Sequence, residues 1–360
     1  MVKVASRNFH SSKIMKTYNN LWEKFISKEN FELAYKNAIK HKSKQKQIIK
    51  FNLNAEENLE NVRQLVISGN FHTSKYRTKT IYEPKERVIY ILPFAPDRIV
   101  QHAIINILKP ILTNLFIENS YACIEDRGQM RASIKCSEYV RKYKYCLKCD
   151  IHHFYPSINQ RILSNKFHRI IKDKKFMRII DDAIFSFEGE YNTPIGNFCS
   201  QWFGNFYLSS LDNFILHKLK CGAYERYCDD FMLFSNDKTY LHYCRKQIEK
   251  YLENELELEF SKAYVFDTKQ GVDYCGYRSF GKYVLVRKSS AKRFKKRFIE
   301  IEKEIRSNNY DIDSMQSRVS STDGWIKHAC AYHLKQKLKI EKLLSIINER
   351  RKHEVQSKFR

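Results

Sequence analysis

The feature that most constrains the fold is a pair of adjacent carboxylates, Asp229-Asp230, set between Tyr227-Cys228 and the strand-like run Phe231-Met232-Leu233-Phe234. A lone Asp-Asp is ordinarily a solvated turn. Here strand formers bracket the pair, which suits a β-hairpin with the acids at its tip. A second acidic position, Asp150, lies in an alternating stretch: Tyr145, Leu147, Cys149 and Ile151 form an apolar face, and Cys146, Lys148 and Asp150 the other. Bringing strand and hairpin side by side would converge three carboxylates.

Charge narrows the partners. The chain has 360 residues, and 65 Lys+Arg against 40 Asp+Glu leave a formal net charge of +25. Nucleic acid is the default partner of such a surface. Hydrophobic content of 43% and aromatic content of 14% indicate a folded chain of two or three subdomains. No apolar run reaches the ~18 residues needed to span a bilayer. Met1–Lys16 is basic without an apolar signal core, so a cytoplasmic protein with reduced cysteines and no membrane partner is expected. Cys146-Leu147-Lys148-Cys149 would nucleate a zinc site only if a second Cys/His pair joined it, and strand alternation competes with that reading.

The pattern along the chain is mixed. Helix is predicted over 17–50, ending in the basic segment Lys40–Lys46, and over 55–67. Thr78–Tyr82 and Arg87–Leu92 flank the turn Glu83-Pro84-Lys85-Glu86 as a hairpin. Helix follows from Asp97, over 131–142, over Ile158–Phe185 with a polar break near Lys172–Lys175, and over Asn197–Leu219 after the turn Thr193–Gly196. Residues 238–255 read as helix, Leu256–Phe266 as mixed, Val272–Val286 as β-rich, and the chain from Ser290 as helix. Phe294, Phe298, Ile301 and Ile305 form one stripe there, with Lys292, Arg293, Lys295 and Lys296 around it. These shifts suggest a basic helical extension (1–70), a central domain (71–286) and a helical C-terminal part (287–360).

Two or three aspartates in a basic protein suit nucleotidyl transfer. That chemistry uses two divalent ions roughly 3.5–4 Å apart. Magnesium takes one or two carboxylates per ion and fills its shell with water and substrate phosphate. His152 and His153 read as spacer, because hard magnesium prefers oxygen.

Tyr227-Cys228-Asp229-Asp230 resembles the YxDD box of reverse transcriptases, and Asp150-Ile151-His152-His153-Phe154-Tyr155 their first catalytic aspartate with its following aromatic. Arg87–Ile104 is similar to the fingers motif, Pro194–Gln201 to the loop-helix motif, and Val272–Tyr277 to the primer-grip hairpin. Most reverse transcriptases carry Gln-Gly and Ser-Pro in the loop-helix motif, whereas Ile195-Gly196 with Ser200-Gln201 resembles the enzymes of diversity-generating retroelements, which carry an aliphatic residue before Gly and Ser-Gln. Leu21-Trp22-Glu23 and Gly324–Ala329 are weaker matches to that group.

The resemblance implies an α+β right hand: fingers, a palm of antiparallel sheet packed on helices, and a helical thumb. It implies catalysis by Asp150, Asp229 and Asp230, with Asp150, Ile151 and Asp229 at two magnesium ions that manganese could replace. Lys85, Arg87, Tyr155, Ile195, Gly196, Gln201 and Lys262 would meet the deoxynucleotide, Tyr155 excluding a 2′-hydroxyl and Lys262 protonating pyrophosphate. A basic surface hairpin and an ordinary core aromatic are the bland alternatives for Lys85, Arg87 and Tyr155. Tyr274, Cys275, Gly276 and Tyr277 would grip the primer, while Lys292, Arg293, Lys295 and Lys296 hold nucleic-acid backbone. Trp325 and His328 are expected in the thumb core.

The expected activity is RNA-directed DNA synthesis, error-prone at template adenines because Ile195 cannot donate an amide hydrogen bond. Mutagenic retrohoming by a bacterial or phage-encoded enzyme follows, with template RNA, primer or cDNA, and a small basic oligomeric accessory protein as partners. No integrase, endonuclease or RNase H segment is expected. The alternatives are a retron or phage-defence reverse transcriptase, and a non-catalytic polymerase-fold RNA-binding scaffold.

Overall fold

The computed structural model describes residues 16–82, 86–307 and 310–358, with backbone alone over 352–358. Lys85 and the hairpin tip around it lie outside these residues, as does most of the basic N-terminal segment. The chain is α+β, as expected, and forms two compact units from interleaved segments. One gathers the residues up to Ile117, His152–Asp212 and Lys250–Glu259. The other gathers Glu118–Ile151, Asn213–Glu249 and the chain from Phe260.

The first unit is mainly helical. The single helix predicted over 17–50 is three, Trp22–Phe25, Lys28–Ile39 and Lys46–Asn52: Ser27 caps the second by accepting from the Asn30 N–H at 3.2 Å, and the polar run Lys40–Gln45 has no apolar face to bury. Asp173 caps the helix Lys174–Ile184 through the Phe176 N–H at 3.1 Å. Its other oxygen accepts from the N–H groups of Leu21 and Trp22, both at 2.8 Å, which anchors the N-terminal segment. The apolar helix Ile99–Thr113 runs through the core, and strands β1 (Arg77–Ile81) and β2 (Arg87–Ile91) pair as the predicted hairpin.

The second unit carries an antiparallel sheet of β3 (Tyr145–Ile151), β4 (Tyr224–Tyr227), β5 (Asp230–Ser235) and β6 (Phe260–Asp267), in the order β4-β5-β3-β6. Segment 256–266, read as mixed, is largely β6. It is an edge strand whose Ser261, Lys262 and Tyr264 are exposed, so it lacks the clean alternation of a half-buried strand. One sheet face packs Cys146, Met232 and Phe234 with Cys136 and Tyr139 of the helix Gln129–Lys142. That is why Cys146, on the side of the strand with Lys148 and Asp150, is as buried as Cys149.

Beside it lies a small sheet of β7 (Val272–Tyr274), β8 (Tyr277–Ser279) and β9 (Val284–Val286). The C-terminal helices Lys288–Arg306, Ile312–Lys327 and Ile340–Lys358 bury Phe294, Phe298, Ile301, Val319 and Ile347 in a core of their own. Among the described residues no helix is long and apolar enough to cross a membrane.

Candidate active site

Cys228 and Asp229 form a two-residue turn between β4 and β5. Cys228 has φ +59°, a left-handed conformation that a non-glycine residue adopts only when its surroundings hold it there. Arg226, fully buried, supplies part of that support by donating from Nη1 to the Cys228 carbonyl at 3.0 Å. Its main chain is fixed in turn, donating to the Asn119 carbonyl and accepting from the Tyr121 N–H, both at 2.9 Å.

Directly opposed residues of an antiparallel ladder share a face. Tyr227 opposes Asp230, Asp230 opposes Asp150, and Asp150 opposes Lys262. A single row therefore crosses four strands, with Asp229 in the turn beside it. The next row reads Glu225, Met232, Lys148 and Tyr264.

Each carboxylate has its own surroundings. Asp150 accepts from the Ser261 hydroxyl at 2.5 Å. Asp230 places Oδ2 3.2 Å from the Lys148 ammonium, while its buried Oδ1 finds no donor among the described residues. Burial pushes the Asp230 carboxyl up to about 6; Lys148 opposes the rise, and the charges of Asp150 and Asp229 add to it. For Lys148, burial acts to lower the ammonium, but the Asp230 carboxylate, joined by Asp273 and Tyr264, opposes it and the net shift is upward. Glu225 is fully buried with both carboxyl oxygens lacking donors among the described residues. Burial, reinforced by Asp230, drives it well above the usual range and favours its protonated form.

The oxygen donors suit a hard divalent cation, and the donor-less Oδ1 of Asp230 is an oxygen the fold leaves for another partner. Asp150 and Asp230 nevertheless stand as neighbours in register, with Asp229 in the adjoining turn, and not as a closed cage. Among the described residues no group of three or more His, Cys, Asp or Glu side chains could hold an ion, with Lys148 drawing on Asp230 and Ser261 on Asp150. Magnesium needs no such cage, because water and phosphate complete its shell. The Ile151 side chain is a hydrocarbon with no ligating atom, so its main-chain carbonyl is the donor it could offer. Cys146 and Cys149 are free and lie on opposite faces of β3, which rules out chelation by that pair.

The hairpin Tyr274-Cys275-Gly276-Tyr277 belongs to the same unit. Cys275 and Gly276 have φ of +48° and +83°, as a two-residue turn with both central residues left-handed requires. A Cβ at Gly276 would fall 2.2 Å from the Trp325 ring. Tyr277 stacks on that ring at 4.8 Å, donates to the Trp325 carbonyl at 3.0 Å and meets the edge of His328 at 5.1 Å. Trp325 also meets Phe294 edge-on at 5.8 Å, so Trp325 and His328 join the hairpin to the C-terminal helices. On the helix Lys288–Arg306, Lys292, Arg293 and Lys296 are exposed and Lys295 is half-buried.

The other unit holds Arg87, Tyr155, Ile195, Gly196 and Gln201. Arg87 opens β2 and Gln201 is exposed on the first turns of the helix Phe198–Asn213. The Ile195 carbonyl accepts from the Tyr90 N–H at 2.8 Å, fastening the 194–197 turn to β2. Gly196 has φ +120°, and a Cβ there would lie 2.3 Å from the Tyr90 carbonyl oxygen. Tyr155 lies against Gly204, where a Cβ would meet its ring at 3.1 Å, and its carbonyl accepts from the Thr193 N–H at 2.9 Å.

Sequence reading missed Lys148, Glu225, Arg226 and Ser261 as parts of the site. One was visible in outline, because alternation put Lys148 on the face of Asp150.

No curated protein sequence matches the chain. Solved structures similar to it include apo telomerase from Candida tropicalis (12% identity, TM-score 0.48, covering 62% of this chain and 49% of that one). Telomerase from Candida albicans in complex with a fragment of telomeric RNA is another (12% identity, TM-score 0.45, 68% and 55%). The chain thus spans about half the length of these telomerase chains. The family model described as reverse transcriptase (RNA-dependent DNA polymerase) matches residues 78–279. That span covers more than half of the chain and contains both the Asp150 strand and the Asp229-Asp230 hairpin; the chain belongs to the reverse transcriptase family of RNA-directed DNA polymerases, which are nucleotidyltransferases.

Proposed function

We propose that this protein copies an RNA template into cDNA by two-metal nucleotidyl transfer. The observation that carries the reading is the register of Asp150 against Asp230, with Asp229 in the adjoining turn, inside the segment that matches the family. Asp150 and Asp229 would hold magnesium, with Asp230 beside them and the Ile151 carbonyl as a further donor. Magnesium bound there would activate the primer hydroxyl and offset the charge of the triphosphate. Ser261 orients Asp150 through its hydroxyl, and Arg226 braces the turn that carries Asp229. Lys262 is exposed and directly across from Asp150, and on the family resemblance it would give a proton to the leaving pyrophosphate.

The nucleotide-facing roles of Lys85, Arg87, Tyr155, Ile195, Gly196 and Gln201 rest on the family resemblance, as do the primer contacts of Tyr274–Tyr277 and the backbone contacts of the basic helix. Ile195-Gly196 and Ser200-Gln201 support a diversity-generating retroelement enzyme, with template RNA and a small basic accessory protein as partners. Primer extension on an RNA template tests the reading. The wild type should extend the primer and Asp229→Ala should not; template binding without incorporation by either protein would favour a scaffold.

A further inference from the structure

We propose that Lys148 is a positioning residue for nucleotide addition, one that ties the carboxylate strand to the β7–β8 hairpin. The inference rests on the reading of the carboxylate row as a polymerase site. Lys148 stands one row behind Asp150 and Asp230, on their face of the sheet, with a side chain only 15% exposed. Its Nζ donates to the main-chain carbonyl of Asp273 on β7 at 2.5 Å, and Asp230 Oδ2 lies 3.2 Å away. The ring of Tyr274 lies beneath it, 5.9 Å from Nζ to the centroid. An ammonium has three N–H donors and no acceptor, and these three neighbours account for its directions.

The contacts continue outward. The Asp273 carboxylate pairs with Arg287, whose N–H donates to the Gly276 carbonyl at 3.0 Å at the head of the helix Lys288–Arg306. Asp230, Lys148, Asp273 and Arg287 thus form one line from the carboxylate row to the hairpin turn and the basic helix.

A neutral donor would suffice to pin the Asp273 carbonyl. The buried positive charge serves Asp230, which sits among acids and needs a compact cation at one oxygen to keep the other turned away. Lys148 therefore does two things with one atom: it orients Asp230, and it sets the distance of the hairpin from the carboxylates. A small misplacement of reacting groups costs rate far more than it costs binding.

Lys148→Met keeps the stem and removes charge and donors. With the full chain, hydrogen exchange over 272–279 without divalent ions should quicken by about tenfold. The rate constant kcat should fall by about 100-fold. Primer–template affinity in EDTA and KM for the deoxynucleotide should hold steady. Unchanged exchange and kcat would overturn the proposal, as would a parallel loss of kcat and primer–template affinity. Lys148→Gln retains an N–H for Asp273 without the charge. Should Lys148→Met not fold, Lys148→Gln should show the same loss of kcat with slow exchange, and full activity in it would overturn the proposal. If the wild type adds no nucleotide, the polymerase reading fails, while the exchange measurement still decides whether Lys148 holds the hairpin.

Discussion

Position 195 carries a branched aliphatic side chain, and its carbonyl accepts from the Tyr90 N–H. An isoleucine can exclude a poorly shaped base pair but cannot reward a correct one with a hydrogen bond. Ile195→Gln should therefore lower misincorporation opposite template adenine by roughly tenfold. Sequencing of cDNA made by both proteins checks this, and an unchanged adenine error spectrum would contradict it. At this scale much of the site is legible from sequence. Asp150 ends an alternating strand and Asp229-Asp230 divides two apolar runs, patterns that need no tertiary information. Lys148 is legible as to face but not as to role, because the Asp273 carbonyl it binds comes from a strand distant in sequence. Glu225 is opaque for a related reason: nothing local says that a glutamate will be buried beside Cys136, Tyr139 and Tyr274.

Elements show where tertiary context takes over. The helix Ile99–Thr113 buries His102 against Phe198, the rings stacked at 4.0 Å, and burial lowers the imidazole from 6.5 to about 4, with Lys42 and Arg98 adding to the shift. The folded state thus prefers neutral His102, whereas the unfolded chain takes up a proton below 6.5. Its stabilising contribution is complete above pH 6.5 and is lost as pH falls toward 4, by about 3 kcal/mol. Denaturant titrations across that range should show His102→Phe losing less stability than the wild type; parallel curves would contradict the assignment. Gly276 gives a sharper prediction for the β7–β8 hairpin. Gly276→Ala must displace Trp325 and strain a left-handed residue, costing about 1–3 kcal/mol and loosening the hairpin from the C-terminal helices. A faster tryptic cut at Arg278 would report it, and an unaltered cleavage rate would speak against the packing. The elements best legible in sequence are the β1–β2 pair, marked by β-forming runs on each side of a Pro-containing turn, and the helix Ala55–Ile67, marked by apolar residues at helical spacing. The edge strand β6 and the broken helix over 17–50 are not, since solvent exposure on one side erases the alternation and a polar run conceals a break.

The molecule as a whole combines interleaved segments, and no local pattern reveals that residues 118–151, 213–249 and the chain from 260 close into one unit. What does carry through from sequence is charge. Lys292, Arg293 and Lys296 are exposed on one helix, and each phosphate they neutralised, on the proposed reading, would release counterions. Replacing all three with Gln should make the log–log salt dependence of primer–template affinity shallower, by up to ~0.9 for each phosphate no longer neutralised and equally for unrelated sequences. An unaltered slope would place the nucleic acid elsewhere. The central claim concerns the carboxylate row, and single-turnover incorporation on a primed RNA template tests it most directly. Asp150→Asn and Asp229→Asn should each slow the step by about 10³-fold or more with primer–template affinity retained. A rate in either variant close to that of the wild type would contradict the assignment of this row as the site of nucleotidyl transfer.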